Sequence, residues 1–175
     1  MSFETPGAPA AVLIALLADP SGPQVILTRR TPHLTNHPDE ISLPGGRVEP
    51  GDPGPVGAAL RETFEEIGLP PQKVEILGSL PVYKTVSHYE VHPFVGWIEP
   101  PVEFVPDACE VAEVFLVPLD FIVDPANHHS GHILHEGEDR SFFVIPYPGH
   151  RIWGATAGML VNLARTLDCR AVPSR

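Results

Sequence analysis

Apolar residues in this chain collect in short runs, cut apart by glycine, proline and polar positions. AAVLIALLA (10–18) and QVILTRR (24–30) read as two buried strands, and the breaker-rich DPSGP between them supplies the turn. Residues 1–8 read as a loose terminus and 31–42 as a loop. VEILGSL (74–80), the β-branched and aromatic VYKTVSHYEVHPFVGWI (82–98) and VAEVFLVPL (111–119) read as further strands, with SFFVIPY (141–147) as another candidate. The period changes from about Val56 to Ile67, and again in ATAGMLVNLARTL (155–167), where Met159, Leu160, Leu163 and Leu167 fall at helical spacing. Strands that outnumber helices, with one helix early and one late, predict a mixed sheet clamped between helices. No internal repeat or linker divides the chain, so 1–175 reads as one domain with loose ends at about 1–8 and 169–175.

The first helix is punctuated at both ends. Asp52, Pro53 and Pro55 suit its start, because proline's missing N–H costs nothing in a first turn. Gly68 suits a left-handed stop, and Pro70 prevents continuation. Val56, Leu60, Thr63, Phe64 and Ile67 make one face, expected to pack on the sheet. Glu62, Glu65 and Glu66 stand at i, i+3 and i+4, within roughly 100° of one another on the opposite side. Arg61, four residues before Glu65, is placed to hold it.

Charge narrows the partners. Eleven basic against 22 acidic residues give a net charge of −11, which repels phosphate backbones and argues against nucleic-acid binding. A small anionic substrate fits if a divalent cation screens the local carboxylates. No apolar run approaches the roughly 18–20 residues needed to span a bilayer, and AVLIALLA lacks a basic leader, so no membrane partner is expected. Cys109 and Cys169 have no metal-like spacing, which fits a reducing cytosol and a cytoplasmic location. A homodimer is left open.

Like charges at i,i+4 destabilise a solvated helix by a few tenths of a kcal/mol, and no lysine is interleaved among these glutamates. Two readings follow: a solvated acidic patch, which is how such triplets usually occur, or a site for Mg²⁺ or Mn²⁺. The loop upstream favours the second. Gly45 and Gly46 allow a backbone carbonyl to approach a cation, and Asp52 adds a fourth acid.

The joint pattern over Gly46, Asp52, Arg61, Glu62, Glu65, Glu66, Gly68 and Leu69 resembles the signature of the Nudix hydrolases, G-x5-E-x7-R-E-U-x-E-E-x-G-U with U a bulky aliphatic residue. Asp52 stands for the first Glu, the next spacer is eight residues, and Thr63 occupies the first U. The resemblance implies an α/β/α sandwich with a mixed β-sheet between helices, and hydrolysis of a nucleoside diphosphate derivative with Mg²⁺ or Mn²⁺. It implies Glu62, Glu65 and Glu66 as metal ligands together with the Gly46 carbonyl. Arg61 would orient the carboxylates, and one of the glutamates, Glu62 or Glu65 among them, or a downstream Glu such as Glu110, would be the base.

ILTRRTPHLTNHPDEISLPGG (26–46) resembles the additional motif of coenzyme A pyrophosphatases. Leu27, Thr28, Arg30, Leu34, His37, Pro44, Gly45 and Gly46 match in register, and Thr31 replaces a serine. Thr35 replaces an arginine, Asp39 a glycine and Leu43 a phenylalanine. RIWGATAGML (151–160) is similar to the opening of that branch's last helix. The resemblance implies coenzyme A or an acyl-CoA as substrate, with Arg30, His37, Gly45 and Gly46 in the binding site and 3′,5′-ADP and 4′-phosphopantetheine as products. ADP-ribose is the alternative substrate, favoured by Thr35 and Asp39, and a non-catalytic nucleotide sensor is the alternative class.

Other residues are read against plainer roles. Arg29 and Arg30 end a strand, where a surface ion pair competes with a phosphate contact. His33 suits the surface, and Glu113 accompanies Glu110 ahead of VFLVPL. HHSGHILH (128–135) resembles a metal tract in composition but reads as an exposed loop, and Trp153 and Met159 as core.

Overall fold

The chain runs through the structure, a computed structural model that describes residues 7–35, 37–135 and 137–170, as a mixed sheet with a helix on either face. Strand β1 (Ala8–Leu17) is central and runs parallel to β7 (Tyr89–Ile98), from Ala8↔Tyr89 to Leu17↔Ile98. β5 (Val74–Ser79) and the short β6 (Tyr83–Lys84) pair antiparallel along the outer edge of β7. On the other side β2 (Gln24–Arg30) meets β1 only at Leu16↔Val25 and Leu17↔Gln24, then diverges. The chain between residues 41 and 47 fills the resulting split. Here β3 (Ile41–Ser42) pairs with β2, and β4 (Gly45–Arg47) pairs with β1. β8 (Val111–Pro118) covers the far edge of β2.

Alternation along β1 and β2 divides the core in two. Ala11, Leu13, Ala15 and Ile26 face Ala58, Ala59 and Ile67 of helix α1 (Gly54–Ile67). Ile14, Leu16, Val25 and Leu27 face Met159, Leu160 and Leu163 of helix α3 (Gly154–Arg170). These faces are buried on both sides, which is why the two strands read as near-continuous apolar runs. A short helix α2 (Leu119–Val123) packs against α3. No helix among the described residues is long and apolar enough to cross a membrane.

Several elements depart from the sequence reading. The segment 82–98 is two strands, because Thr85 turns the chain: its hydroxyl accepts the Tyr89 N–H at 3.0 Å, and His88 adopts φ 61°. The loop expected at 128–135 contains β9 (His129–His135), which joins β10 (Glu138–Tyr147) and β11 (His150–Trp153) in a second, antiparallel sheet. Gly131 makes that pairing possible, because a Cβ there would lie 2.6 Å from the Phe142 ring. The expected exposure does hold at His132, Ile133 and Leu134. Ala8 belongs to β1 and α3 runs through Arg170, whereas residues 1–6 and 171–175 lie outside the described residues.

WGATAG is a packing junction. Gly154, at φ 63°, turns β11 into α3; the Thr156 hydroxyl donates to the Ile41 carbonyl at 3.2 Å; and Gly158 leaves room for the Tyr83 ring. Met159 is buried in the core as expected, while Trp153 is half-buried, edge-on to Phe142.

Candidate active site

Helix α1 begins beside Pro55 and stops at Gly68, whose φ of 71° lets its N–H reach the Phe64 carbonyl at 2.8 Å. Its buried face differs from the one expected. Phe64 is 51% exposed, while Glu66 is only 5% exposed and sits with Ala59, Thr63 and Ile67 against the sheet. The cause is β4, whose glycines offer the helix no side chains and leave a polar gap. Glu66 enters it and accepts the Gly45 N–H at 3.1 Å. Thr63, where an aliphatic residue was the pattern, returns its hydroxyl to the Ala59 carbonyl at 2.7 Å and so is buried with its polar group satisfied.

The three glutamates therefore do not share one solvated face. Glu66 is buried, Glu62 is half-buried against Gly46, and Glu65 is exposed. A Cβ on Gly46 would lie 2.5 Å from the Glu62 carboxyl carbon, so only glycine leaves that carboxylate where it is. Burial pushes the Glu66 carboxyl up to about 8; the Gly45 N–H opposes this, the charges of Glu62 and Glu110 add to it, and that of Arg30 opposes it. Burial also raises Glu62, against the pull of Arg61.

Arg61 organises the exposed rim. Its Nε donates to Asp52 at 2.7 Å and its Nη2 to the same carboxylate at 3.1 Å, while Nη1 donates to both Glu62 and Glu65 at 3.0 Å. Asp52 is itself fixed by the Glu49 N–H at 2.7 Å, and the Arg61 and Glu49 bonds hold its carboxyl below the usual range. The shorter acid and the longer spacer thus still deliver a carboxylate to the guanidinium.

The end of β2 separates the two arginines. Arg29 forms the plain surface ion pair, 3.2 Å from Glu113, whose carboxylate also meets His150 at 3.2 Å. Alternation along β2 puts Arg30 on the face of Ile26, the α1 side that holds Glu66, while the register slips by one residue on β8 beside it; the buried Arg30 Nε has no hydrogen-bond partner among the described residues. Thr31 ties the next turn down, its N–H donating to the Glu110 carbonyl and its hydroxyl to the Cys109 carbonyl, each at 3.0 Å. A serine would do the same, which accounts for the exchange. The Asp107 N–H reaches the Glu66 carbonyl at 2.9 Å, so the loop bearing Glu110 caps the end of α1. His37 lies apart, exposed and 2.8 Å from Glu40; it and Asp39 hold left-handed backbones, φ 53° and 58°. Asp39 thus holds a conformation that favours glycine, in a residue type that tolerates it.

Among the described residues, no three His, Cys, Asp or Glu side chains already converge on one point, because Arg61 stands between Glu62 and Glu65. The donors that do face one another are all hard oxygens: the Glu62 and Glu66 carboxylates beside the Gly45–Gly46 backbone. That set, and the mutual repulsion it contains, suits Mg²⁺ or Mn²⁺. Arg47, on β4, escaped the sequence reading. Its exposed guanidinium lies over the Tyr89 ring, and pleating alone, set by the register of β4, would have pointed to it.

The NUDIX domain family model matches residues 7–136. The chain is 38% identical over 155 residues to a protein named "Uncharacterized Nudix hydrolase NudL" from Enterobacter sp. strain 638, covering 89% of this chain and 80% of that one. The NudL protein of Escherichia coli K12 is 37% identical over the same shares. Among solved structures, a Nudix hydrolase from M. smegmatis, RenU, matches with a TM-score of 0.65 at 19% identity, over 96% of this chain and 90% of that one. With the glycine turn, the acid helix and the two-layered core arranged as that pattern requires, the chain belongs to the Nudix hydrolase family.

Proposed function

We propose that this chain is a Mg²⁺- or Mn²⁺-dependent pyrophosphohydrolase that cleaves coenzyme A or an acyl-CoA to 3′,5′-ADP and the (acyl-)4′-phosphopantetheine. The observation that carries the reading is the pairing of Glu62 and Glu66 with the Gly45–Gly46 turn, where the missing Cβ of Gly46 leaves room for the Glu62 carboxylate and the Gly45 N–H reaches Glu66 at 3.1 Å. Glu62, Glu66 and the Gly46 carbonyl would hold the cation, with Glu65 joining them from the rim. Bound there, Mg²⁺ or Mn²⁺ would supply charge neutralisation for the diphosphate and a more acidic water. Arg61, locked by Asp52, keeps Glu62 and Glu65 from drifting apart. The unpaired Arg30 Nε donates to a phosphate oxygen, a charge-assisted bond worth roughly 1.5–3 kcal/mol. Glu110 or Glu65, both exposed, takes the proton as the new P–O bond forms and the bridging P–O bond breaks. His37, on the loop leading to the site, contacts the substrate from outside the turn.

The test is an incubation with Mg²⁺ or Mn²⁺ and a panel of coenzyme A, acyl-CoA, NADH, ADP-ribose and nucleoside triphosphates, with products identified by mass. Release of 3′,5′-ADP from coenzyme A is expected. Efficient ADP-ribose cleavage without coenzyme A cleavage would overturn the substrate, and tight binding with no turnover would make the chain a sensor. Asp52→Ala, which frees Arg61 without touching the core, is expected to lower kcat about tenfold and leave the melting temperature within a few degrees. An unchanged kcat would show that Arg61 needs no such anchor.

A further inference from the structure

The cations beside the acid cluster differ in what holds them. Arg29 is engaged by Glu113, and Arg61 by Asp52, Glu62 and Glu65. Arg30 has been assigned to the diphosphate. Arg47 has no carboxylate partner among the described residues, in a chain with twice as many acids as bases. It is nevertheless fixed in place. Its Nε donates to the Tyr89 hydroxyl at 3.0 Å, its Nη2 donates to the same oxygen, and its guanidinium carbon lies 5.4 Å from the ring centroid. Of the five N–H donors of an arginine, these two are used among the described residues and three remain, with the Nη1 side turned to grip an oxyanion.

Its position relative to the cluster follows from the pleat. Gly46 is opposite Ala11 on β1, and Arg47 is opposite Ala10. Ala11 belongs to the core under α1, whereas Ala10 and Tyr89 belong to the core under α3. Side chains of successive strand residues point to opposite faces, so Arg47 presents its charge on the face away from Glu62 and Glu66. The backbone is shared all the same: Arg61 Nη2 donates to the Arg47 carbonyl at 3.2 Å. A guanidinium so placed lies on the same strand as Gly46, one residue along and on the opposite face of the sheet. It cannot serve the same phosphate as Arg30, but it can serve a second anionic group on the same substrate.

We propose that Arg47 determines specificity by binding a phosphate monoester on the ribose of the substrate, apart from the diphosphate, with Tyr89 as its positioning residue. The proposal rests on the reading of the site as a diphosphate hydrolase and adds the residue that selects nucleotides carrying a phosphate outside the diphosphate. The same chemistry is offered by a 3′-phosphate or a 2′-phosphate, and the pleat does not choose between them.

Calorimetry with the full chain in Mg²⁺ tests this without relying on turnover, using 3′,5′-ADP, 2′,5′-ADP and AMP as ligands. The wild type is expected to bind one of the two bisphosphates about ten- to a hundredfold more tightly than AMP, the worth of a charge-assisted bidentate contact. Arg47→Ala should bring that ratio near one while leaving AMP affinity unchanged, Arg47→Lys should restore part of it, and Tyr89→Phe should lose part. A wild type with no preference over AMP overturns the proposal, as does a preference that survives in Arg47→Ala. The outcomes also separate the two readings. Coenzyme A cleavage with an unaffected ratio removes Arg47 alone, whereas a selective loss in Arg47→Ala without coenzyme A cleavage removes the substrate alone.

Discussion

Glu66→Gln is expected to lower kcat on the order of a hundredfold or more and, in the metal-free protein at pH 8, to raise the melting temperature. Both effects have one cause. Glu66 is 5% exposed, and burial with two neighbouring carboxylates pushes its carboxyl up to about 8 from an ordinary 4.5. Because the native state binds the proton more tightly than the unfolded state, stability is full below about pH 4.5 and falls as pH rises through about 8. A tenfold difference in proton affinity between the two states is worth about 1.4 kcal/mol, so the total loss is on the order of 2–5 kcal/mol. Glutamine keeps an oxygen for the Gly45 N–H but never ionises, so it removes the slope along with the ligand. Melts in EDTA from pH 5 to 8 should therefore show the wild type falling by several degrees more than the variant. Equal slopes would mean that the folded protein accommodates the ionised Glu66 carboxylate without a cation. Near-normal turnover would mean that it is no ligand.

How much of this was legible beforehand depends on what kind of information each feature carries. The helix stop at Gly68 and the two buried strands are local in origin, and the sequence states them openly. The buried face of α1 is not local. Phe64 is the more apolar residue, yet Glu66 is the one buried, because the helix faces a strand of two glycines whose position depends on the split between β1 and β2. β9 escapes notice for a similar reason: HHSGHILH has no apolar alternation, and its pairing with β10, which passes the Phe142 ring over Gly131, is what makes it a strand. Arg29 and Arg30 look equivalent as neighbours, and the strand's alternation sends them to different faces, one to Glu113 and the other toward Glu66 once α1 is in place. The motif, in contrast, is readable as a unit because its members are bound to one another. Even its departures are local repairs, with Asp52 reaching Arg61 and Thr63 bonding to Ala59.

The two glycines of that turn should fail in different ways when replaced. At Gly46 the atoms nearest an added methyl group are the end of the Glu62 side chain, the carboxyl carbon at 2.5 Å and its oxygens at 2.6 and 2.8 Å. A flexible side chain yields cheaply, so Gly46→Ala should fold and melt within a few degrees of the wild type. Its Glu62 carboxylate is driven off, however, and activity should fall on the order of a hundredfold, since misplacement of about 1 Å is enough for that. At Gly45 the methyl group would meet backbone, the Ala11 carbonyl oxygen and the Val12 Cα at 2.6 Å, and φ is +154°, a conformation that side chains rarely adopt. Neither obstacle can rotate away, because β1 is paired with β7 along its whole length. Gly45→Ala should therefore lose stability, by roughly 2–4 kcal/mol, and lose activity with it. Thermal melts beside kcat decide the matter. If Gly46→Ala unfolds as readily as Gly45→Ala, its glycine serves packing; if it stays folded and inactive, the missing Cβ is there to make room for the Glu62 carboxylate.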